Sequence, residues 1–216
     1  MASVRGLVVM DFDGTLVDGE TIDVMAELAG VGREVEEITR RAMEGELEFG
    51  EALRERVRLL AGAPASILDE AASRLRLNPG VREFVAAVRR AGAAVAVISG
   101  GFMEVVRRFA RELGLDAVVA NELEVRNGVL TGRVYGPVMS GKAKGRILLQ
   151  LCRRFGVSPE ETVAVGDGAN DASMLNRVGL PLGFRPKGVI RDLVRSSLSD
   201  FREAIPLVMR FWGVRA

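Results

Sequence analysis

The apolar residues of this 216-residue chain follow two patterns, short unbroken runs and helical spacing, and the pattern changes twice along the sequence. The run L-V-V-M that begins at Leu7 stops abruptly at Asp11, which predicts a buried strand. From residue 21 to about residue 77 the apolar positions recur at helical spacing instead. Glycine and proline divide that stretch, which predicts four short helices at 21–28, 34–46, 49–60 and 66–75, the first capped by Thr21.

From residue 78 onwards, predicted strands alternate with predicted helices. Unbroken apolar runs indicate strands at 94–98, 117–120, 162–165 and 180–184. Helical repeats indicate helices at 79–90, 103–113, 142–155, 172–177 and 201–212. Two further short strands, 123–126 and 129–135, flank the dipeptide Asn127-Gly128, which is typical of a tight β-hairpin.

Strands that alternate with helices form parallel sheets with right-handed crossovers. The sequence therefore predicts an α/β fold: a Rossmann-like parallel sheet flanked by helices, with a small β-hairpin and an inserted four-helix-bundle cap. We expect residues 1–16 and 78–216 to form the catalytic core and residues 17–77 to form the cap. Because about sixty residues rarely bury enough surface to fold reliably alone, we expect the cap to lie on the core as a lid.

Composition narrows the available chemistry. The chain has no histidine and one cysteine, Cys152, which excludes an internal disulfide, a Ser-His-Asp triad, a Cys-His pair and a His/Cys zinc site. The net charge of +1 gives no electrostatic reason to expect nucleic acid or a membrane surface as a partner. No apolar run approaches the ~20 residues of a membrane span and the start lacks a signal-peptide layout, so we expect a cytoplasmic protein.

Three predicted strands end in polar clusters. These clusters are Asp11/Asp13/Thr15, Ser99/Gly100/Gly101 and Asp167/Asn170/Asp171. Because parallel strands present their carboxyl ends at one edge of the sheet, we expect the clusters to converge, and Lys144 at the start of a helix could join them.

These residue types suit phosphoryl chemistry. Carboxylate oxygens from separate strands suit a hard cation such as Mg²⁺. Ser99, Gly100 and Lys144 offer the hydroxyl group, the backbone amide and the ammonium group that bind a phosphoryl group. Without histidine, the available covalent nucleophile is a carboxylate, which would form an aspartyl phosphate. Asp13 is then placed to donate a proton to the leaving oxygen and later to take one from water.

The motifs together resemble the haloacid dehalogenase-like hydrolases. The four that carry the resemblance are D-F-D-G-T at 11–15, S-G-G at 99–101, Lys144, and G-D-G-A-N-D at 166–171. Their order and spacing fit, and the resemblance covers essentially the whole chain. The predicted cap is also similar to that of the members that hydrolyse O-phospho-L-serine, through D-G-E-T-I-D at 18–23, the stretch at 43–49 and L-R-E-R-V at 53–57.

The resemblance implies a role for each core residue. Asp11 would be the nucleophile and a Mg²⁺ ligand, and Asp13 the general acid/base and a ligand through its backbone carbonyl. Asp167 would be the remaining protein ligand. The residues implied around the phosphate are Ser99, Gly100, Lys144 and Asn170. Asp171 would support Lys144 or the metal ligands, and Thr15 would lie behind the groups that contact substrate and metal.

The same resemblance assigns a substrate site to the cap. Glu20 would meet the ammonium group of phosphoserine and Arg56 its carboxylate, while Met43 and Phe49 would shape the pocket. A zwitterionic head group needs one anion and one cation, and a guanidinium group binds a carboxylate bidentately. Without the resemblance, Glu20 and Arg56 would be interpreted as solvated helix charges.

Several alternatives remain open. The chain could act on another small phosphomonoester or pass the phosphoryl group to a second alcohol such as homoserine. It could also be a signalling module that stores phosphate on an aspartate, although Asp13 and the inserted helices argue against storage. A third candidate, the P-loop-like spacing of G-P-V-M-S-G-K at 136–142, is followed by Ala143 where a hydroxyl should bind Mg²⁺, which argues against a nucleotide site.

The chain departs from the family pattern after the last motif. Residues 183–187 and the Arg/Ser-rich stretch 191–199 differ from the usual alanine- and lysine-rich continuation. This leaves the edge of the core undetermined, and both a monomer and a homodimer remain open.

Overall fold

The computed structural model describes residues 4–214, and these residues contain nine strands and nine α-helices. The strands are Leu7–Met10 (β1), Val17–Asp18 (β2), Arg76–Leu77 (β3), Ala94–Phe102 (β4), Ala117–Arg126 (β5), Val129–Tyr135 (β6), Thr162–Gly166 (β7), Leu180–Phe184 (β8) and Ser196–Leu198 (β9). The helices are Thr21–Ala29 (α1), Gly32–Met43 (α2), Phe49–Leu59 (α3), Ile67–Arg74 (α4), Val81–Arg90 (α5), Met103–Leu113 (α6), Ala143–Phe155 (α7), Ala172–Leu175 (α8) and Ala204–Phe211 (α9).

A seven-stranded sheet in the order β6-β5-β4-β1-β7-β8-β9 forms the centre of the molecule. β1 pairs in parallel with β4 on one side and with β7 on the other, and Leu7 is aligned with both Ala94 and Thr162. Only β6 runs antiparallel within this sheet among the described residues, as the second strand of the predicted hairpin. The predicted α/β fold with a mostly parallel sheet and a small hairpin is therefore confirmed.

Helices cover both faces of the sheet because side chains of β1 alternate between two apolar clusters. Val8 and Met10 pack in the cluster that includes α5, α6, α9 and the inserted helices. Leu7 and Val9 pack in the other cluster, against α7 and α8. This burial on both faces explains why β1 reads as an unbroken apolar run.

The four helices α1 to α4 connect to the rest of the chain through a short ribbon that sequence reasoning missed. In this ribbon β2 pairs antiparallel with β3, and Val17 is opposite Leu77. Each of its strands has only two residues, which is too short to show a periodic pattern.

The loop between α3 and α4 makes a second connection, to the hairpin. Backbone N–H groups of Gly62 and Ala65 donate to the carbonyl oxygens of Leu130 and Gly128, each at 2.8 Å. The N–H of Leu130 donates in return to the carbonyl of Ala63 at 2.8 Å. Residues 62–65 thus hydrogen-bond along the free edge of β6.

The sheet also differs from the prediction in three strands. β4 continues through the expected stop at residue 99 to Phe102, because its pairing with β5 shifts register after Ile98 and resumes at Phe102. β5 is one strand and not two, since the buried side chain of Asn121 forms hydrogen bonds in the expected gap. β9 was missed because its only buried residue is Leu198.

Some helices begin at a different residue than predicted, or with a different capping residue, because of a glycine or a polar contact. The first helix includes Thr21, which does not cap it: Glu20 holds that position and Thr21 bonds elsewhere. α5 begins at Val81, after Gly80 in the left-handed region at φ 78°. Further bounds differ from the prediction by a few residues: α2 spans Gly32–Met43, α7 begins at Ala143, α8 ends at Leu175, and a 3₁₀ turn at Phe201–Glu203 precedes α9. The ends of α1, α3, α4 and α9 differ by one residue.

Within residues 4–214, every helix is too short or too polar to cross a lipid bilayer.

Candidate active site

The carboxyl ends of β1 and β7 bring three buried aspartates together. Carboxylate oxygens of Asp11, Asp167 and Asp171 all lie within 4.8 Å of one another. Asp11 follows β1 directly, whereas Asp167 and Asp171 lie in the loop and 3₁₀ turn after β7. The expected convergence of the strand-end clusters is therefore present in the fold.

Lys144 provides a buried positive charge in the middle of this cluster. Its Nζ lies 2.6 Å from Asp11 Oδ1 and 2.7 Å from Asp171 Oδ1. Asp11 Oδ1 also accepts the backbone N–H of Phe12 at 2.7 Å. Since Lys144 is in the first turn of α7 and 1% exposed, the helix holds its ammonium group rigidly against both carboxylates.

Asp171 organises the loop that carries Asp167. Its Oδ2 accepts the backbone N–H groups of Asp167 at 3.0 Å and Gly168 at 3.2 Å. A Cβ atom at Gly166 would lie 2.4 Å from the same oxygen, so only glycine fits there. Asn170 is half-buried in the 3₁₀ turn just before Asp171.

Asp13 has a different set of partners. Its Oδ1 accepts the backbone N–H of Thr21 at 2.7 Å and the Thr21 hydroxyl at 2.5 Å. Ser99 Oγ lies 3.5 Å from the second oxygen, Oδ2. Because Thr21 is the first residue of α1, the inserted helices contact the site through this residue. Sequence reasoning missed the contact, since a threonine at a helix start is also a common cap.

Asp167 is held between a hydroxyl group and a second lysine. Thr15 Oγ1 donates to Asp167 Oδ1 at 3.1 Å, and Lys187 Nζ lies 2.8 Å from Asp167 Oδ2. Gly14, at φ 69°, allows this approach, because a Cβ atom there would lie 2.6 Å from Asp167 Oδ2. Lys187 was not among the predicted site residues. Its signal was the scarcity of lysine, of which the chain has three.

The Ser99–Gly101 segment is fixed by hydrogen bonds and covered by one aromatic ring. Ser99 Oγ accepts the backbone N–H of Gly101 at 2.8 Å. Asn121 Nδ2 donates to the Gly100 carbonyl at 3.0 Å from the side of β5. Phe49 at the start of α3 packs on Gly100, where a Cβ atom would lie 2.8 Å from the ring. Asn121 is a buried positioning residue that gave no motif signal.

The predicted substrate residues of the inserted helices lie in different environments. Arg56 is half-buried, and its guanidinium donates to the Ala52 carbonyl at 3.3 Å and to Thr39 Oγ1 at 3.5 Å. Glu20 is accessible to solvent but close enough to the site for its charge to interact with Asp13. Met43, by contrast, is 83% exposed at the end of α2.

Burial changes the acid–base properties of the carboxylates. Desolvation raises the pKa of Asp11, the charge of Asp171 raises it further, and Lys144 opposes both. Desolvation also raises the pKa of Asp13, against the hydrogen bonds from Thr21. For Glu20, the surrounding protein atoms raise the pKa to about 8, and the charges of Asp13 and Asp167 add to the effect. Asp13 and Glu20 thus retain a proton more readily than free carboxylic acids do.

The donor set fits a hard divalent cation. Asp11, Asp167 and Asp171 offer only carboxylate oxygens, which magnesium prefers over nitrogen or sulfur ligands. The chain as a whole has no histidine that could favour a transition metal. Buried carboxylates at this spacing repel one another, so a bound cation would stabilise them.

A carboxylate at the end of the central strand, beside a buried lysine and two further buried acids, suits transfer of a phosphoryl group to an aspartate. The family model for haloacid dehalogenase-like hydrolases matches residues 8–176. The chain belongs to the haloacid dehalogenase-like hydrolases, and the resemblance carried by the four motifs is confirmed.

Individual relatives give a finer comparison. The chain is 49% identical to a phosphoserine phosphatase of Archaeoglobus fulgidus, over 90% of this chain and 57% of that protein. It is 47% identical to a phosphoserine phosphatase of Streptococcus thermophilus, over 88% of this chain and 89% of that protein. The chain therefore spans little more than half of the first relative and most of the second.

A solved structure extends the likeness to three dimensions. It is a phospho-aspartyl intermediate analogue of phosphoserine phosphatase, with a TM-score of 0.89 and 42% sequence identity. The match covers 94% of this chain and 98% of the other. Sheet, hairpin and inserted helices are thus shared with a phosphoserine phosphatase.

Proposed function

We propose that this protein is a magnesium-dependent phosphatase that hydrolyses O-phospho-L-serine to L-serine and phosphate, the last step of L-serine synthesis, in the cytoplasm. The observation that carries the proposal is the contrast between two aspartates one residue apart. Asp11 is paired with the Lys144 ammonium group, whereas Asp13 is held by the N–H and hydroxyl groups of Thr21, and burial raises the pKa of both carboxyl groups. The likeness to phosphoserine phosphatases supports the choice of substrate.

Two carboxylates with these environments can divide the reaction between them. The Asp11 carboxylate attacks phosphorus, the bond from phosphorus to the serine oxygen breaks, and Asp13 gives its proton to that oxygen. Asp13, now ionised, takes a proton from water as the water oxygen attacks the aspartyl phosphate. The bond between phosphorus and Asp11 then breaks, which releases phosphate and restores the carboxylate. The relative solved as a phospho-aspartyl analogue supports this covalent route.

The phosphoryl group would be held by groups that already converge in the fold. We assign the Ser99 hydroxyl, the Gly100 N–H, the Lys144 ammonium group and Asn170 to its oxygens. Lys144 is buried and fixed, so its charge needs no rearrangement as negative charge moves onto the phosphoryl oxygens.

We assign the cation to the carboxylates of Asp11 and Asp167 and to the backbone carbonyl of Asp13. Asp171 lies in the same acid cluster but is bound by Lys144 and by two backbone N–H groups, which fits a supporting role. When bound, Mg²⁺ would supply positive charge that keeps Asp11 ionised and draws charge from the phosphoryl oxygens.

The substrate head group would bind between the core and residues 17–77, which we propose act as the cap domain. Arg56 forms no ion pair with a carboxylate among residues 4–214, so its guanidinium is available to a substrate carboxylate. Glu20 would accept the ammonium group, and Phe49 would cover the phosphate site. Met43 is placed to join the pocket only if α2 moves towards the core.

The decisive experiment measures phosphate release from a panel of small phosphomonoesters, with and without Mg²⁺. Sustained, Mg²⁺-dependent release that favours phosphoserine supports the proposal. A single stoichiometric burst would indicate a phosphate-storing signalling module instead. Product analysis with added homoserine would reveal transfer to a second alcohol.

The mechanism predicts that Asp11→Asn lowers turnover by roughly a thousandfold or more, because the amide cannot form the aspartyl phosphate. Turnover with phosphoserine and the circular dichroism spectrum check activity and fold. The matched control is Asp192→Asn, at an exposed aspartate far along the chain, which should leave turnover unchanged. Full activity in Asp11→Asn would remove the covalent mechanism.

A further inference from the structure

Lys187 contacts the acid cluster but has no part in the chemistry above. Its Nζ lies 2.8 Å from Asp167 Oδ2, on a carboxylate that we assign to the cation. We propose that Lys187 is a resident counter-cation, which holds Asp167 in the metal-free protein and must release it when a divalent cation binds. Lys187 then sets the cation affinity of the site. This inference rests on the proposed magnesium site.

The anchoring of Lys187 fits a group that can leave. Its backbone N–H donates to the Asp167 carbonyl at 2.8 Å, so the main chain stays beside the cluster. Its side chain is 65% exposed, whereas that of Asp167 is 5% exposed. The ammonium group can therefore return to water at low cost, but the buried carboxylate cannot.

Lys144 shows the opposite behaviour within the same cluster. Its side chain is 1% exposed and bound to two carboxylates at once, Asp11 and Asp171. Removing it would leave buried charges without compensation. Of the two lysines in contact with the acid cluster in the described part of the chain, Lys187 is thus the exchangeable one.

The oxygens of Asp167 are both engaged in this structure. Thr15 donates to Oδ1 and Lys187 to Oδ2, so a cation at Oδ2 would meet the positive charge of the ammonium group and be repelled by it unless Lys187 moves away. Two ligands that exclude each other lower each other's apparent affinity by the same factor. The ion pair between Lys187 and Asp167 consequently has two effects: it stabilises the metal-free site, and it lowers the affinity of the site for a cation.

The test is a calorimetric titration of Mg²⁺ into the metal-stripped full-length protein. We expect Lys187→Met to bind Mg²⁺ at least about fivefold more tightly than the wild type, a typical size for coupling between ligands. Lys187→Arg keeps the charge and should stay near the wild-type affinity. Lys142→Met removes a positive charge from an exposed lysine outside the ion pairs of the cluster, and should also stay near it.

Thermal unfolding gives a second readout that does not depend on catalysis. Without Mg²⁺, Lys187→Met should unfold at a lower temperature than the wild type, and saturating Mg²⁺ should narrow the gap. Equal or weaker Mg²⁺ binding by Lys187→Met overturns the counter-cation role, even if the wild type is an active Mg²⁺-dependent phosphatase. If the wild type itself binds no Mg²⁺, both this inference and the proposed cation site fail, whereas phosphate release tests the phosphatase activity separately.

Discussion

Asp11 and Asp13 show how two identical side chains two positions apart are held by different partners. Lys144 faces Asp11 with a full charge, which favours the ionised carboxylate, against burial and the charge of Asp171, which both raise the pKa of Asp11. Thr21 offers Asp13 only a hydroxyl group and one N–H, so burial keeps the pKa of Asp13 raised. Burial raises the pKa of both carboxyl groups, so the two residues differ in their partners, and the proposed proton donor is the one without an ammonium partner.

Arg56→Ala should reduce kcat/KM for phosphoserine much more than for an aryl phosphate that lacks a carboxylate. Loss of a charge-assisted pair of this kind costs about 2 to 5 kcal/mol, or roughly thirtyfold or more in kcat/KM. Steady-state kinetics with both substrates provide the measurement. Arg58→Ala, at an exposed arginine on the same helix, is the matched control and should affect neither. Equal losses with both substrates would contradict the assigned contact.

The pKa of Glu20, about 8 in the substrate-free protein, predicts a pH dependence. A raised pKa leaves this carboxyl group protonated below pH 8, and ionisation above it creates the negative charge that attracts an ammonium group. Hence kcat/KM for phosphoserine should rise as the pH increases through about 8. Glu20→Gln should lose this rise, as measured from kcat/KM against pH.

The comparison substrate for this prediction is 2-phosphoglycolate, which has no ammonium group. Its kcat/KM should lack the rise attributed to Glu20 in the wild type. Glu27→Gln, at an exposed glutamate on α1, should keep the wild-type profile. A rise that persists in Glu20→Gln would mean that another group titrates.

Among individual residues, the sequence predicted the site residues that belong to recognisable motifs. It missed residues that contribute only because the fold places them beside the site. Asp11, Lys144 and Asp167 stand in motifs, and the fold brings them together. Asn121 and Thr21 could not be found, because a buried amide or a helix-start threonine has common structural explanations. Whether a side chain such as Met43 faces the site depends on how α2 packs, which no local pattern encodes.

The elements that surround the site were easier to predict than its details. Strands buried on both faces and amphipathic helices produce strong patterns, so the parallel sheet and the four inserted helices were predicted from the sequence. The two-residue strands β2 and β3 and the short β9 form through tertiary pairing, which local periodicity does not show. Helix α1 then has a role beyond covering the site, since its first residue holds Asp13.

Thr21→Val should lower kcat about tenfold, because it removes the hydroxyl that orients Asp13 and leaves the shape of the side chain nearly unchanged. The Thr21 hydrogen bonds lower the pKa of Asp13, so their partial loss should raise that pKa and move the basic limb of kcat/KM against pH, where Asp13 loses the proton that it donates, to higher pH. Thr21→Ser restores a hydroxyl and should recover both properties. An unchanged pH profile in Thr21→Val would show that the contact is only structural.

At the scale of the whole molecule, the inserted helices are attached at two places: the β2–β3 ribbon and the backbone hydrogen bonds between residues 62–65 and the hairpin. Gly132 lies at the second attachment, at φ 81°, where a Cβ atom would approach Ala61 Cβ to 2.9 Å. Packing between the hairpin and the inserted helices therefore depends on a glycine that local turn chemistry does not require.

Gly132→Ala should destabilise the protein by about 1 kcal/mol more than Gly128→Ala. Both glycines have positive φ, but a Cβ atom at Gly128 meets nothing within 4 Å, so that variant carries the backbone strain alone. Urea unfolding of both variants measures the difference. Equal free energies of unfolding would show that the hairpin and the inserted helices pack loosely.

The hydrogen bonds of residues 62–65 to β6 also affect whether this edge of the sheet can pair with another protein chain. β6 is the outer strand of the sheet, and an uncovered outer strand offers its N–H and C=O groups to any other chain. Val125, Val129 and Tyr135 expose apolar surface on the same hairpin. Removing the inserted helices would expose the outer edge of β6 next to these apolar side chains. Two such edges can pair with each other, so we expect the truncated core to aggregate. The insertion that covers the site also protects the sheet from edge-to-edge association.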